Sequence, residues 1–330
     1  MRVKDLPFFR RQQRSRAGLY ISSTAVAVAT AVGDGERHLR CRGVRLDGDT
    51  SPALAAREIG QELGVTGAEC VLVVAPHNYQ VMLVERPDVA AEEVKDAVRW
   101  QIQEYLDFPA EQAVIDVFGF PESAARGRAP MVFVVAMARA PLIKALHYAT
   151  DAGFSPTSID VAELALRNLA WSVYPSPEHA VGLLRLTAST GLINITRGDE
   201  LFLSRRISGV PAGLDSGSWE AFKDGLLLQV QRSIDYYESA LSQPPANGLL
   251  VATTHGHASN VVSHLEEMLP LPVRRLSEVL TAELDIELLD PEPVMLSPEG
   301  ISEEQDQALA AVLPAIGGFL RRRIELEQAA

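Results

Sequence analysis

Cysteine and basic residues are both scarce in this chain. Two cysteines, Cys41 and Cys70, occur in 330 residues, and both lie in strand-like runs. A disulfide framework needs more cysteines, so the sequence predicts buried free thiols in a reducing compartment. Lysine and arginine number 30 against 43 acidic residues, which gives a net charge of −13. Because phosphate binding needs a basic surface, this charge argues against nucleic acid as the main partner.

Long apolar segments are also missing. The longest uncharged run, residues 17–33, contains the polar stretch 22–24. A membrane-spanning helix needs about 20 mostly apolar residues, so we predict none. The run follows basic residues, as the apolar part of a signal peptide does. Within it, however, valine alternates with small residues from Ala25 to Val32, and this alternation favours a β-strand.

Several motifs of enzyme and metal chemistry are absent. The chain has no Gly-x-x-x-x-Gly-Lys-Ser/Thr loop, no His-Glu-x-x-His motif and no Cys-x-x-Cys pair. These absences argue against a P-loop nucleotide site and against the usual zinc sites. His255, His257 and His264 complete no such motif, and we predict no metal site.

The first sixteen residues differ from the rest of the chain in charge. Residues 1–16 carry six basic side chains against Asp5 alone, with Leu6, Phe8 and Phe9 among them. One interpretation is a flexible, solvated leader. The other is a segment that binds weakly to an anionic membrane surface, a membrane foothold. There each basic residue contributes about 1 kcal/mol and phenylalanine inserts into the interface.

Strand and helix patterns recur in a definite order. Residues 18–46 predict two strands joined by a turn at Gly33–Gly35, and a helix from Pro52 to Leu63 and a buried strand follow. The hairpin pattern recurs at residues 181–207, as an internal duplication requires. The segment 278–306 holds ten acidic residues and no basic one, which predicts a solvated surface loop before a final helix.

A long amphipathic helix dominates the second half of the chain. Its apolar residues are three or four positions apart, which is the spacing of one helix face. They are Trp219, Phe222, Leu226, Val230, Ile234, Tyr237 and Leu241. Ser216 or Ser218 is the predicted N-cap, and Pro244–Pro245 ends the helix.

Two stretches resemble signatures of the PilM family of type IV pilus assembly proteins. One is Gln231–Glu238, Gln-Arg-Ser-Ile-Asp-Tyr-Tyr-Glu, within the long helix. The other is Val98–Pro109, followed by a strand with a central aspartate at Ala113–Val117. The resemblance runs from Gly18 to Arg323, and among relatives it is strongest to MshI, the counterpart of mannose-sensitive haemagglutinin (MSHA) pili.

The resemblance implies an α/β, actin-like fold. This is a duplicated, ribonuclease H-like, two-domain fold with a small inserted α+β subdomain, as in PilM and the bacterial actin relative FtsA. It assigns residues 17–76 and 153–175 to the first domain, 77–152 to the inserted subdomain and 178–325 to the second domain. Residues 1–16 form the basic leader.

The nucleotide-binding motifs of actin-like ATPases are degenerate in this sequence. In such proteins two hairpin turns offer backbone amides to the phosphates and an aspartate each to magnesium. By comparison with the family, Tyr20 and Arg185 stand at the two aspartate positions. The residues left in the degenerate cleft are Ser22, Ser23, Thr24, Thr187, Ser189, Thr190, Thr253, Thr254 and Gly256. The hydroxyl groups of the first six either bind an anion or only shape the hairpin turns. Without the carboxylates we expect no ATPase activity and no cofactor; the alternative is weak binding of ATP with Mg.

The expected function is a non-catalytic scaffold of a type IV or MSHA-type pilus machine, cytoplasmic and peripheral to the inner membrane. The resemblance implies binding of the cytoplasmic tail of a PilN-like inner-membrane protein, MshJ in MSHA systems, and of other pilus assembly proteins. Arg99, Trp100 and Gln103 are the candidate contact residues, because they lie off the apolar face of the predicted helix Asp88–Leu106, whereas Tyr105 is expected in the core. Two alternatives stay open, namely an active ATPase of this fold and a relative of the cytoplasmic part of the type II secretion protein GspL.

Overall fold

The computed structural model of the protein describes residues 15–33, 37–125, 127, 129–188, 190–255, 257–289 and 292–321. Seven strands form the largest sheet. In spatial order they are β15 (Pro293–Met295), β14 (Asp285–Leu289), β3 (His38–Arg45), β2 (Ala25–Ala31), β1 (Arg16–Ile21), β4 (Glu69–Val74) and β8 (Ser155–Val161). Strands β1, β2 and β3 are antiparallel, whereas β4 and β8 continue the sheet in parallel from β1.

A second sheet repeats this connectivity. Its strands, in spatial order, are β11 (Glu200–Ile207), β10 (Gly191–Arg197), β9 (Ala180–Leu186), β12 (Leu249–Thr253) and β13 (Val273–Arg275). Again three antiparallel strands are followed by two parallel ones. The predicted duplicated, actin-like α/β fold is therefore confirmed.

The inserted subdomain has a small antiparallel sheet in the order β5 (Tyr79–Glu85), β7 (Met131–Ala138) and β6 (Ala113–Gly119). Helix α2 (Val94–Ile102) covers one face of this sheet through Val94, Val98 and Ile102. The other face packs on the second domain, where Phe133 shares a buried cluster with Phe202 and Tyr237. The subdomain is therefore held against the second domain by apolar packing, and β5 is left as an edge strand.

Seven further helices cover the two large sheets. They are α1 (Pro52–Glu62), α3 (Arg139–Asp151), α4 (Ala162–Val173), α5 (Ser216–Asp235), α6 (Ala258–Met268), α7 (Leu276–Glu283) and α8 (Glu303–Phe319). Helices α4 and α8 cross in the core between the sheets. At the crossing, a Cβ on Gly317 would lie 2.1 Å from the carbonyl oxygen of Ala165, so only glycine permits this approach.

The acidic segment 278–306 is not the solvated loop that its charge predicted. It contains the end of α7, the strands β14 and β15, and the first turn of α8. Strand β14 buries Ile286 and Leu288 and pairs in parallel with β3 of the first sheet. Residues 285–289 and 293–295 thus extend the first-domain sheet, although the sequence-based boundary placed them in the second domain, because alternating apolar residues outweigh the surrounding charge.

Helix α3 also departs from the predicted boundaries. It lies within residues 77–152, assigned to the inserted subdomain, but Ala145 and Ala149 share a core cluster with Ile59 and Leu19. The helix therefore packs on the first domain, because its small apolar face fits against α1 rather than against the small sheet.

Element ends differ from the predictions in three further places. Residues 18–46 form three strands rather than two, because the chain also turns at residues 22–24. The N-cap of α5 is Asp215, whose side chain accepts a 2.9 Å hydrogen bond from the amide of Ser218. The predicted leader ends too late, since Arg16 already lies in β1, and residues 1–14 are outside the described part of the chain.

Both cysteines are buried and free, as predicted. Burial raises the pKa of Cys70 to about 12 and raises that of Cys41 still further. Across the residues that the structure describes, no helix combines the length and the apolar character needed to cross a bilayer.

Candidate functional site

The first cleft turn joins β1 to β2 and is closed by hydrogen bonds to the hydroxyl group of Ser22. The Ser22 hydroxyl accepts hydrogen bonds from the amides of Ala25 (2.8 Å) and Thr24 (3.2 Å) and donates to the Ala25 carbonyl (3.0 Å). Ser22 is buried, whereas Ser23 and Thr24 are exposed. The buried hydroxyl is therefore committed to closing the turn, which favours the turn-shaping interpretation over anion binding.

The other two cleft turns follow the same pattern. The Thr187 hydroxyl donates to the Thr190 carbonyl at 2.9 Å and accepts from the Thr190 amide at 3.3 Å. The Thr253 hydroxyl accepts from the His255 amide at 3.0 Å, and the Thr254 amide donates to the Leu186 carbonyl at 3.0 Å. Two other predicted members of the cleft, Ser189 and Gly256, lie outside the described residues.

Arg185 spans the interdomain cleft from β9 to α8. Its side chain is 8% exposed, and both Nε and Nη2 donate to the carbonyl oxygen of Ala310 at 3.2 Å. In a regular helix that carbonyl accepts from the amide four residues later, but position 314 is proline and has no N–H. Arg185 therefore supplies the donors that Pro314 lacks and ties the second domain to a helix that packs on the first sheet.

The electrostatics of this position oppose a metal ion. Burial lowers the pKa of Arg185, and the titratable groups that oppose this shift are the phenols of Tyr20 and Tyr79. Within the described part of the chain, no carboxylate forms an ion pair with Arg185. A buried cation repels magnesium, and Tyr20, at the position where the family resemblance implies the other aspartate, is also buried. The described residues likewise bring together no group of three or more His, Cys, Asp or Glu able to hold a metal.

A buried polar junction, which the sequence did not predict, lies beside the cleft. The Tyr79 hydroxyl donates to the Glu163 carboxylate and accepts from the Ala162 amide at 2.9 Å. Asn194 of the second domain donates to the Glu163 carbonyl at 2.8 Å. Burial raises the pKa of Glu163, even though the Tyr79 hydrogen bond opposes the shift. The available signal was an acidic residue two positions after the parallel strand β8, at the carboxyl end of the strand, where α/β proteins commonly build sites.

An open groove of about 670 Å³ begins at this junction. Residues Gln80–Glu85 of β5 form one wall, and Ser204 and Arg206 of β11 form part of the other. Glu163 lies at the groove, and Tyr105 lines it with 66% of its surface exposed. Both β5 and β11 are edge strands of their sheets, so unpaired backbone groups face outward along each of them.

The predicted contact residues of α2 are not gathered in this groove. The Arg99 guanidinium donates to the carbonyls of Ala110 and Ala113, at 2.9 Å each, and so fixes the loop before β6. Trp100 is 73% exposed and Gln103 is exposed, but neither lines the groove.

The prediction of a buried Tyr105 is wrong. The regular helix ends at Ile102, so the helical period that assigned Tyr105 to the core does not extend to it. Leu106 and Phe108 pack against the apolar cluster of the subdomain instead.

No family profile matches the chain, and no curated protein matches it in sequence. Solved structures do match. The PilM–PilN type IV pilus biogenesis complex contains a chain that is 18% identical, with 93% of this chain and 99% of that chain covered and a TM-score of 0.66. The chain has a PilM-like fold.

Two other actin-like structures support the same fold. The cytoplasmic domain of EpsL, an inner membrane component of the type II secretion system of Vibrio cholerae, is 13% identical over 82% of this chain and 94% of that one, with a TM-score of 0.51. A Bacteroides thetaiotaomicron protein of actin-like ATPase fold and unknown function is 8% identical over 81% and 93%, with a TM-score of 0.50. At these identities the likeness establishes the shared fold.

Proposed function

We propose that this chain is a non-catalytic scaffold of a type IV or MSHA-type pilus machine, corresponding to MshI. In this role it lies at the cytoplasmic side of the inner membrane and holds the tail of a PilN-like protein, MshJ in MSHA systems. The PilM-like fold and the signature stretches Val98–Pro109 and Gln231–Glu238 support this proposal. The interaction of Arg185 with Ala310 is the observation that carries the non-catalytic part.

The cleft chemistry opposes the alternative of an ATPase. Phosphoryl transfer depends on a metal ion that neutralises charge and on donors that position the phosphates. Here a guanidinium and a phenol stand where metal carboxylates are expected, and the turn hydroxyls are bonded within their own turns. We expect calorimetry with Mg-ATP to detect no affinity tighter than about 1 mM, about −4 kcal/mol. A micromolar dissociation constant would refute the expected absence of a nucleotide, and turnover of ATP would refute the non-catalytic assignment.

The groove beside β5 fits an extended peptide. A partner segment that runs along an edge strand gains backbone hydrogen bonds, and side-chain pockets add specificity. Strand β5 offers six residues along the groove, Gln80–Glu85, and Tyr105 offers an exposed aromatic ring beside them. Aromatic side chains of this kind commonly dominate binding energy, with costs of about 2 kcal/mol or more on truncation.

Titration calorimetry with the N-terminal cytoplasmic peptide of the PilN-like protein from the same organism tests this proposal. We expect Tyr105→Ala to weaken binding by about tenfold or more, which is about 1.4 kcal/mol. Leu54→Ala is the matched control, because Leu54 is 52% exposed on α1 and does not line the groove. Trp100→Ala tests the sequence-based candidate in the same assay.

The outcomes separate the alternatives. Loss of binding in Trp100→Ala with normal binding in Tyr105→Ala would move the contact to the outer side of α2. Absence of binding to the wild-type chain would overturn the partner assignment. The likeness to EpsL favours a GspL-like role in type II secretion as the second candidate, and tight binding of a peptide from that system alone would select it.

A further inference from the structure

A second groove, of about 610 Å³, lies along the end of α5. Gln231, Ile234, Asp235 and Glu238 line one wall, and their spacing of three and four residues places them on one helix face. These four residues belong to the stretch Gln231–Glu238 that carries the PilM resemblance. The groove is built wholly from the second domain and is separate from the groove beside β5.

The inward face of the same stretch has a structural role. Tyr237 is fully buried, with its ring edge-on to that of Phe202 at 5.4 Å. The Ser233 hydroxyl donates to the Gln229 carbonyl at 2.7 Å. Asp235 and Glu238 line the groove and take no part in this packing.

The groove combines an apolar floor with acidic groups. Leu269, Leu271 and Ile234 supply buried apolar surface. One oxygen of Glu238 accepts a 3.2 Å hydrogen bond from the Ala246 amide, which holds its carboxylate in place. The Asp235 side chain is exposed and forms no hydrogen bond or ion pair with the described residues. An apolar floor beside two carboxylates fits a segment that carries both cationic and apolar side chains.

The chain itself contains a segment of this chemistry. Residues 1–14 hold five basic side chains against Asp5, and Phe8-Phe9 precede Arg10-Arg11 directly. We propose that the groove along α5 binds residues 1–14 of a second copy of the chain. The leader precedes β1 of the first domain, whereas the groove belongs to the second domain. Binding between copies therefore joins unlike surfaces and builds a head-to-tail assembly.

Fluorescence anisotropy with a labelled synthetic peptide of residues 1–14 tests the groove in the full-length chain. We expect saturable binding that weakens as ionic strength rises. Asp235→Lys is expected to weaken binding by about tenfold or more, since it places a cation beside the cationic peptide. The matched control is Asp224→Lys, which makes the same charge change at an exposed position of α5 about 16 Å away along the helix and is expected to leave binding within about twofold.

Equal losses in the two variants would mean that the peptide binds the acidic surface without a site, and this result would overturn the proposal. Absence of saturable binding, with the peptide instead partitioning onto anionic vesicles, would overturn it in favour of the membrane foothold. Sedimentation velocity tests the second-copy requirement. We expect concentration-dependent association of the full-length chain that Asp235→Lys abolishes and Asp224→Lys retains, whereas a chain that stays monomeric at every concentration would refute assembly through this groove.

Discussion

The interaction between Arg185 and the Ala310 carbonyl predicts a specific energetic coupling to Pro314. Arg185→Met removes both donors while keeping a long unbranched side chain. The Ala310 carbonyl then has neither Arg185 nor an amide at position 314, and a buried acceptor left unsatisfied costs about 1–3 kcal/mol. Relief of the buried guanidinium offsets part of this cost, so we expect a net loss of about 1–2 kcal/mol.

The companion change is Pro314→Ala, which restores the missing amide within α8. In that background the Ala310 carbonyl has an intrahelical donor, so Arg185→Met is expected to cost less. The double-mutant cycle should therefore show an interaction energy of about 1–2 kcal/mol, well above the roughly 0.5 kcal/mol within which independent sites add.

Urea unfolding followed by circular dichroism on the wild type, both single variants and the double variant measures this cycle. Gly225→Ala provides a background change in α5, because the added Cβ meets nothing within 4 Å. Additive effects of Arg185→Met and Pro314→Ala would show that Arg185 does not replace the proline's missing donor. The hydrogen bonds between β9 and α8 would then contribute nothing to stability. The proposal of a non-catalytic cleft would lose the observation on which it mainly rests.

Two further predictions follow from packing and burial. Gly317→Ala should destabilise the protein by about 2–3 kcal/mol in the same urea assay, because the added Cβ meets the Ala165 backbone. As the control, Gly225→Ala adds a Cβ that meets nothing within 4 Å, so it should be neutral or stabilise the protein by about 0.5–1 kcal/mol. Burial raises the pKa of Glu163, so the folded state binds its proton more tightly than the unfolded chain does. The stability this group contributes is therefore complete below its ordinary pKa of about 4.3 and falls as the pH rises toward the raised value. Glu163→Gln should flatten the decline in melting temperature as the pH rises above about 4.3, and an unchanged decline would show that this carboxyl does not control it.

The sequence determined most of the secondary structure because local signals are strong where apolar period and turn chemistry agree. Pro52 opens α1, and the alternation from Ala25 to Val32 marks β2. The hairpin pattern at residues 181–207 was enough to indicate duplication. The resemblance to the PilM family, rather than any local pattern, implied that Tyr20 and Arg185 replace the two metal carboxylates.

Only the tertiary structure decided which partners these residues meet. By comparison with the family, Arg185 was expected at the position of a metal carboxylate, but its hydrogen bond to a carbonyl 125 residues away depends on the packing of two domains, which no local pattern encodes. The acidic residues around β14 led to the prediction of a loop, whereas the structure has a strand that pairs with β3. Local sequence does not show such pairing, because the two strands are far apart in the chain. Tyr105 and Trp100 have similar local surroundings in sequence, yet only Tyr105 reaches the groove beside β5. Position along a helix fixes which face a side chain occupies, but the three-dimensional packing of sheets and helices determines what that face contacts.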